Sequence, residues 1–264
     1  MTSEPKNQLA RDYDTAAIAY ERHWGPVLAL LAENFLDRLA LKRVKRILDV
    51  GAGTGRLVGV LESKTQATVV GVDRSEGMLR RAPADSLGAV MDAEQLAFAD
   101  DSFGMAVAFF MLFHLTDPLQ GLREMRRVVS TGGMVALMTW GDDDLDFRGF
   151  EVWDEILDRL GAAAGRALFS QHQFTDSVDK CSRLLEDAGF ADIDVRAERM
   201  THTWTIEDVI GFRTGVGLGR VRWESLGQEA RDEALREGRR MLGELTPDER
   251  TDRDEVIYSV ARSR

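Results

Sequence analysis

The residues best suited to chemistry gather where a short apolar run breaks into a glycine turn, Ile47-Leu48-Asp49-Val50-Gly51-Ala52-Gly53-Thr54-Gly55. Gly51 and Gly53 permit backbone angles and close approaches that a side chain forbids, so a ligand can lie on the main chain where a helix begins. Asp49 offers a carboxylate to the ammonium of an amino-acid ligand. The next apolar run ends Val69-Val70-Gly71-Val72-Asp73. A strand-end acid about twenty residues beyond a glycine turn is placed to accept hydrogen bonds from ribose hydroxyls. Arg74 follows, and Met78 offers a thioether either to an adenine face or to the core. Asp92, followed by the Ala93 backbone N–H, can read the amino and ring-nitrogen edge of adenine. A dinucleotide site would want its third glycine where Arg56 stands, which argues against a nicotinamide oxidoreductase.

Side chains able to move a proton are few. His114, in Phe109-Phe110-Met111-Leu112-Phe113-His114-Leu115, is a candidate base, weighed against a half-buried histidine bonded to backbone. Tyr13 and Tyr20 lie in one helical stretch and either bond a ligand or simply pack. The single cysteine, Cys181, shares a helical face with Val178 and Leu185 and reads as core. Asp142-Asp143-Asp144 lacks a partner carboxamide and reads as an exposed loop, so no metal is expected.

Apolar runs rich in β-branched residues alternate with amphipathic stretches, the pattern of βαβ units. Strands are expected at Arg46–Val50, Thr68–Asp73, Gly88–Met91, Ala106–Phe110, Met134–Trp140, Ile193–Met200 and Val256–Ala261, with helices near Gly55–Glu62, Ser75–Arg81 and Pro118–Val129. Four or five of the strands should be parallel and covered on both faces. Residues 1–44 read as a helical N-terminal cap, 45–140 as the ligand-binding core, and 141–264 as substrate-side helices with closing strands, all in one domain. The helical additions beside the strand ends can form a lid.

The chain has 264 residues and a formal net charge of -11, which repels polyanions, so no nucleic-acid partner is expected without a local basic groove. The pairs Arg80-Arg81, Arg126-Arg127 and Arg239-Arg240 read as solvated helix faces. No stretch reaches the length of a membrane span and residues 1–10 carry no apolar signal region, so a cytoplasmic protein is expected. A homodimer is compatible with the sequence.

Several ordered motifs together resemble the class I S-adenosylmethionine (SAM) dependent methyltransferases, in the branch of small-molecule and quinone methyltransferases (methyltransferase type 11 domain). The likeness runs from roughly Val44 to Trp140 and includes Leu122-Arg123-Glu124-Met125-Arg126-Arg127-Val128-Val129-Ser130-Thr131-Gly132-Gly133. It resumes at Leu184-Leu185-Glu186-Asp187-Ala188-Gly189-Phe190 and at Val256-Ile257-Tyr258-Ser259-Val260-Ala261-Arg262. It implies an α/β fold: a Rossmann-like, doubly wound, seven-stranded sheet whose last strand is antiparallel. By the same likeness Asp49, Gly51 and Gly53 would surround the methionine part of SAM, Asp73 would hold the ribose, and Asp92 with the Ala93 backbone would hold the adenine; Ala52, Arg74 and Met78 are further cofactor-binding candidates. Backbone at Phe109 and Phe110 would line the sulfonium end, and His114 and Tyr20 would stand nearest the chemistry. The implied activity is methyl transfer from SAM, leaving S-adenosylhomocysteine, to a small-molecule acceptor at oxygen, carbon or nitrogen. The alternative is a non-catalytic SAM-binding regulatory or assembly module. The chain departs from the family pattern at Ala97, Gly104 and Thr131, changes that affect loop stiffness more than ligand chemistry.

Overall fold

The computed structural model describes residues 4–142, 147–165 and 168–264. Among them, runs of Ile, Val and Leu form β1 (Arg46–Val50), β2 (Thr68–Asp73), β3 (Leu87–Val90), β4 (Phe103–Phe109), β5 (Val129–Trp140) and β6 (Phe190–Arg199). A two-residue pairing of β7 (His202–Thr203) with β8 (Thr251–Asp252) precedes the closing strand β9 (Glu255–Ser263). Seven strands make one sheet in the order β3-β2-β1-β4-β5-β9-β6. β1 to β5 are mutually parallel, and β9 runs antiparallel to both β5 and β6. Only β9 is therefore reversed, and β6 restores the common direction at the edge.

Several expected strands begin earlier than their apolar runs. β5 starts at Val129 rather than Met134, because Val129 pairs with Phe103 and a register shift before Met105 absorbs the Gly132-Gly133 kink. Likewise β4 starts at Phe103 rather than Ala106, and Phe103 packs edge-on against Phe98. β6 starts at Phe190 rather than Ile193, across an irregularity that contains Asp192 with φ of +48°. β3 occupies Leu87–Val90, one position before its expected span.

The helices are α1 (Glu4–Ala19), α2 (Gly25–Leu36), α3 (Arg56–Lys64), α4 (Glu76–Leu79), α5 (Pro118–Val128), α6 (Arg148–Arg159), α7 (Val178–Asp187), α8 (Ile206–Gly215), α9 (Gly217–Glu224) and α10 (Gln228–Glu244). Apolar side chains fill both faces of the sheet, with Phe35, Leu61 and Met105 on one and Leu122, Met125 and Leu185 on the other. None of the described helices is long and apolar enough to cross a membrane.

The additions beside the strand ends have their own core, built from Trp153, Ile156, Leu157, Trp204 and Val209 on α6, α8 and the segment before α8. Asp154 of α6 ties this layer together by pairing with Arg213 of α8 and Arg222 of α9. Trp24 joins the layer to the cap and sheet. It stacks on Trp204 at 5.5 Å and 10°, and lies 5.1 Å from Phe212 and 5.7 Å from Trp140. Trp24 belongs to a π-helical turn, Tyr20–Trp24, that links α1 to α2 without a loop.

Cys181 is buried with its thiol pointing at the Thr175 carbonyl, as a core role requires. Of the basic pairs, Arg127 departs from a solvated face: it bonds Glu124, Asp100 and the carbonyls of Leu96 and Phe98, pinning the segment before β4. Asp143 and Asp144 lie outside the described residues. Among the described residues no group of His, Cys, Asp and Glu could hold a metal ion.

Candidate active site

β1 delivers Asp49 to the carboxyl end of the sheet, and the glycine turn then reverses over it into α3. The N–H groups of Gly51 and Ala52 both donate to the Val72 carbonyl, at 2.8 and 3.0 Å, which locks the turn to β2. Gly51 has φ of +78°, and a Cβ there would stand 2.7 Å from Met111. Gly53 has φ of +55° and open space where a Cβ would point, so its backbone is reachable from the cavity.

Asp49 is 1% exposed, and its Oδ2 has no hydrogen-bond partner. Burial, with Asp73 adding repulsion, pushes its carboxyl up to about 8. Such an oxygen calls for a cationic donor. Asp73 accepts from the Gly53 N–H at 2.9 Å and the Ser75 N–H at 2.8 Å, one on each oxygen. Burial raises its carboxyl while these N–H groups oppose the rise. A second lone pair on each oxygen is left for a diol.

An open cavity of about 830 Å³ lies over these strand ends. It is lined by Tyr20, Gly51, Gly53, Asp73, Arg74, Met78, Asp92, Ala93, Phe109 and His114. An adjoining space of about 510 Å³ shares Tyr20, Gly51, Gly53 and Phe109 and adds Asp49 and Ala52. The twelve candidate residues thus converge on two connected volumes, within the size range of small-molecule sites. Met78 is 2% exposed, so its thioether serves the core and the cavity wall at once.

Asp92 is engaged through both of its oxygens. Its Oδ2 meets Lys6 Nζ at 3.0 Å and Arg74 at 2.6 Å, and its Oδ1 accepts from the Glu94 N–H. These contacts hold its carboxyl below the usual range, against a desolvation that raises it. Arg74 Nη2 also donates to Asn7 Oδ1 at 2.9 Å.

The proton-handling residues meet across the cavity. His114 Nδ1 lies 3.0 Å from the Phe169 carbonyl, an acceptor only, so Nδ1 carries the hydrogen and Nε2 is the lone-pair nitrogen. The Tyr13 hydroxyl donates to that Nε2 at 2.8 Å. Burial lowers the imidazole to about 4, the Phe169 carbonyl opposing only in part, and burial also raises the Tyr13 phenol. Both are therefore neutral at pH 7. Tyr20 makes an edge contact with Tyr13, ring centres 6.0 Å apart, rather than bonding His114 itself.

The sequence reading missed what α1 brings. Lys6, Leu9 and Ala10 line the cavity, and Asp14 accepts from the Ser75 hydroxyl at 2.6 Å and the Gly77 N–H at 2.7 Å. No local pattern marks these residues, since their partners lie more than sixty positions away.

Residues 48–137 match the family described as a methyltransferase domain. The chain is 30% identical over 215 residues to a demethylmenaquinone methyltransferase of Clavibacter sepedonicus, covering 74% of this chain and 86% of that one. The chain belongs to the SAM-dependent methyltransferases. This methyltransferase is also 33% identical over 210 residues to the malonyl-[acyl-carrier protein] O-methyltransferase of Halorhodospira halophila. That match covers 74% of this chain and 65% of the relative, so the chain spans less than two thirds of that relative's length. Its fold is similar to Haemonchus contortus phosphoethanolamine N-methyltransferase 2, solved with S-adenosyl-L-methionine. The TM-score is 0.56 at 20% identity, over 95% of this chain and 57% of that one. The methyltransferase's cofactor is SAM, and the residues present suit it: the unpartnered Asp49 oxygen fits an ammonium and Asp73 fits a ribose diol.

Proposed function

We propose that this methyltransferase transfers the methyl group of SAM to a small-molecule acceptor held beside Tyr13 and His114, in the cytoplasm. The observation that carries this reading is a single cavity lined both by Asp73 and by the bonded Tyr13–His114 pair. When bound, SAM supplies a methyl carbon activated by the adjacent sulfonium charge, so the protein's task is alignment and exclusion of water. Asp49 would hold the ammonium, Gly51, Ala52 and Gly53 would carry the methionine backbone, and Asp73 would hold the ribose. Met78 and Ala93 would flank the adenine. Asp92 and Arg74, bonded to one another, would brace that wall and anchor Lys6 over it. Phe109 would face the transferring end.

On the acceptor side, Tyr13 presents its oxygen lone pairs while its hydrogen is committed to His114. A proton leaving the acceptor can pass to Tyr13 Oη as the Tyr13 hydrogen moves to His114 Nε2. With His114 near 4, the pair is a weak base. It takes a proton only from an acceptor made strongly acidic by gaining a methyl group. Tyr20 would keep the Tyr13 ring in place. Leu9, Met111 and Leu115 give the wall an apolar character suited to a ring or chain. The demethylmenaquinone and malonyl-[acyl-carrier protein] acceptors named for the relatives are reasonable first compounds to try.

The test is transfer of labelled methyl from SAM to a panel of quinol, phenol, amine and acyl-thioester acceptors. Label in one class, lost with Asp73→Ala, is the expected result. Binding of S-adenosylhomocysteine with no label in any class would favour the non-catalytic module, and failure to bind either nucleoside would end the donor assignment.

A further inference from the structure

A groove of about 1550 Å³ opens at the other end of the sheet, bounded by the segment between α2 and β1 and by the first residues of β4 and β5. Five cations line it: Lys42, Arg43, Lys45, Arg46 and Arg262, all exposed. No Asp or Glu lines it, although the chain carries 45 acidic residues against 34 Lys and Arg. Among the described residues none of the five forms an ion pair, whereas Lys6, Arg38, Lys64, Arg74, Arg81 and Arg127 all do. The positive charge of this face is thus unspent within the chain.

The groove is built, not a loose fringe of lysines. The Arg46 guanidinium carbon lies over the Phe103 ring at 4.9 Å, a cation–π contact that uses none of its N–H donors. Arg262 sits opposite Met134 in the β5–β9 ladder and donates to the Gly132 carbonyl. Leu39 and Val44 add half-buried apolar side chains to the lining. β4 separates this face from the cofactor cavity by six residues, roughly 20 Å at 3.3 Å each.

We propose that this groove docks an extended acidic segment of a partner protein, with apolar residues between its carboxylates. Charge complementarity selects the sign. The concave form selects a narrow chain over a planar lipid surface, which would meet only the rims. A nucleic acid would run on past the groove into a chain of net charge -11, beginning with Asp100 and Asp101 beside the lining residue Ser102. A short acidic stretch ends before that repulsion begins. Docking there leaves the cofactor cavity free, so the partner would be a tether or a scaffold and not an occupant of the active site.

The probe is a fluorescein-labelled peptide of alternating Glu and Leu, titrated by anisotropy with the whole chain at two salt concentrations. Binding should weaken with salt and fall about tenfold or more in the triple variant K42E/R43E/K45E. The control R123E/R183E/R236E changes the net charge equally on other exposed faces and should bind as the parent does. Both variants should keep the parent's melting temperature and S-adenosylhomocysteine affinity, which separates failure here from failure of the donor assignment. Absence of peptide binding, or equal loss in both variants, would overturn the proposal. So would tighter, groove-dependent binding of oligo-dT or of phosphatidylglycerol vesicles.

Discussion

Tyr13 and His114, 101 positions apart in the chain, share a hydrogen bond of 2.8 Å that ties the first helix to the turn after β4. The carbonyl of Phe169 fixes the imidazole from the other side, so the tautomer and the direction of the bond are both determined. A cap helix and a strand-end loop therefore meet at the place where an acceptor's proton would leave.

Tyr13→Phe keeps the ring and removes that bond. The turnover number should drop by about a hundredfold for an acceptor that must lose a proton, a typical size for one acid–base contact. S-adenosylhomocysteine affinity, read by calorimetry, should stay within about threefold, because the hydroxyl's hydrogen bond goes to His114 and not to Asp49 or Asp73. A matched loss of both would reduce Tyr13 to a packing role.

Lowering the pH should weaken the fold through His114. Its folded value of about 4 lies below the ordinary 6.5, so between those limits the unfolded chain takes up a proton that the folded chain refuses. Stability is complete above pH 6.5 and declines as the pH falls towards 4. At pH 5 the deficit from this group is about 2 kcal/mol. Urea unfolding at pH 7 and pH 5 should show that decline in the parent chain and much less of it in His114→Gln.

Asp49 should release a proton when the donor binds. At pH 7 a carboxyl raised to about 8 is mostly protonated, and an arriving ammonium favours its ionised form. Calorimetry with SAM in buffers of different ionisation enthalpy should report close to one proton released per site. Asp49→Asn should release none. Buffer-independent heats in the parent chain would contradict the pairing.

Lys6→Met cuts the contacts of α1 with Asp92 at 3.0 Å and Glu94 at 2.6 Å. The pair is partly exposed, so its loss should be modest, and S-adenosylhomocysteine should dissociate about threefold faster. Stopped-flow release is the measurement. An unchanged rate would mean that α1 does not gate the cavity.

What could be read from the sequence was local in the chain. The Asp49 turn and Asp73 are recognisable because backbone geometry demands glycines at set positions and an acid at the next strand end. Most strands followed from β-branched runs, but Val129 and Phe103 joined theirs only by pairing across a bulge that no single run displays. The cavity's other wall was out of reach for the same reason. Lys6, Tyr13 and Asp14 look like ordinary residues of an amphipathic helix until packing brings them to Asp92, His114 and Ser75. Asp92, expected from the sequence to read adenine, lines the cavity, while its ion pair with Lys6 depends on where α1 lands.

The π-helical turn from Tyr20 to Trp24 has a consequence for phase. It holds one more residue per turn than the helices it joins, closing with a bond from the Gly25 N–H to the Tyr20 carbonyl. Each residue of an α-helix advances the face by roughly 100°. The extra residue therefore lets one unbroken rod point Tyr20 at the donor cavity and Trp24 at the aromatic layer of α6 and α8. Deleting a single position there would turn one of those faces away while leaving both helices intact. The cap and the aromatic layer are geared to each other through that tooth, and their relative setting is encoded by one residue's worth of rotation.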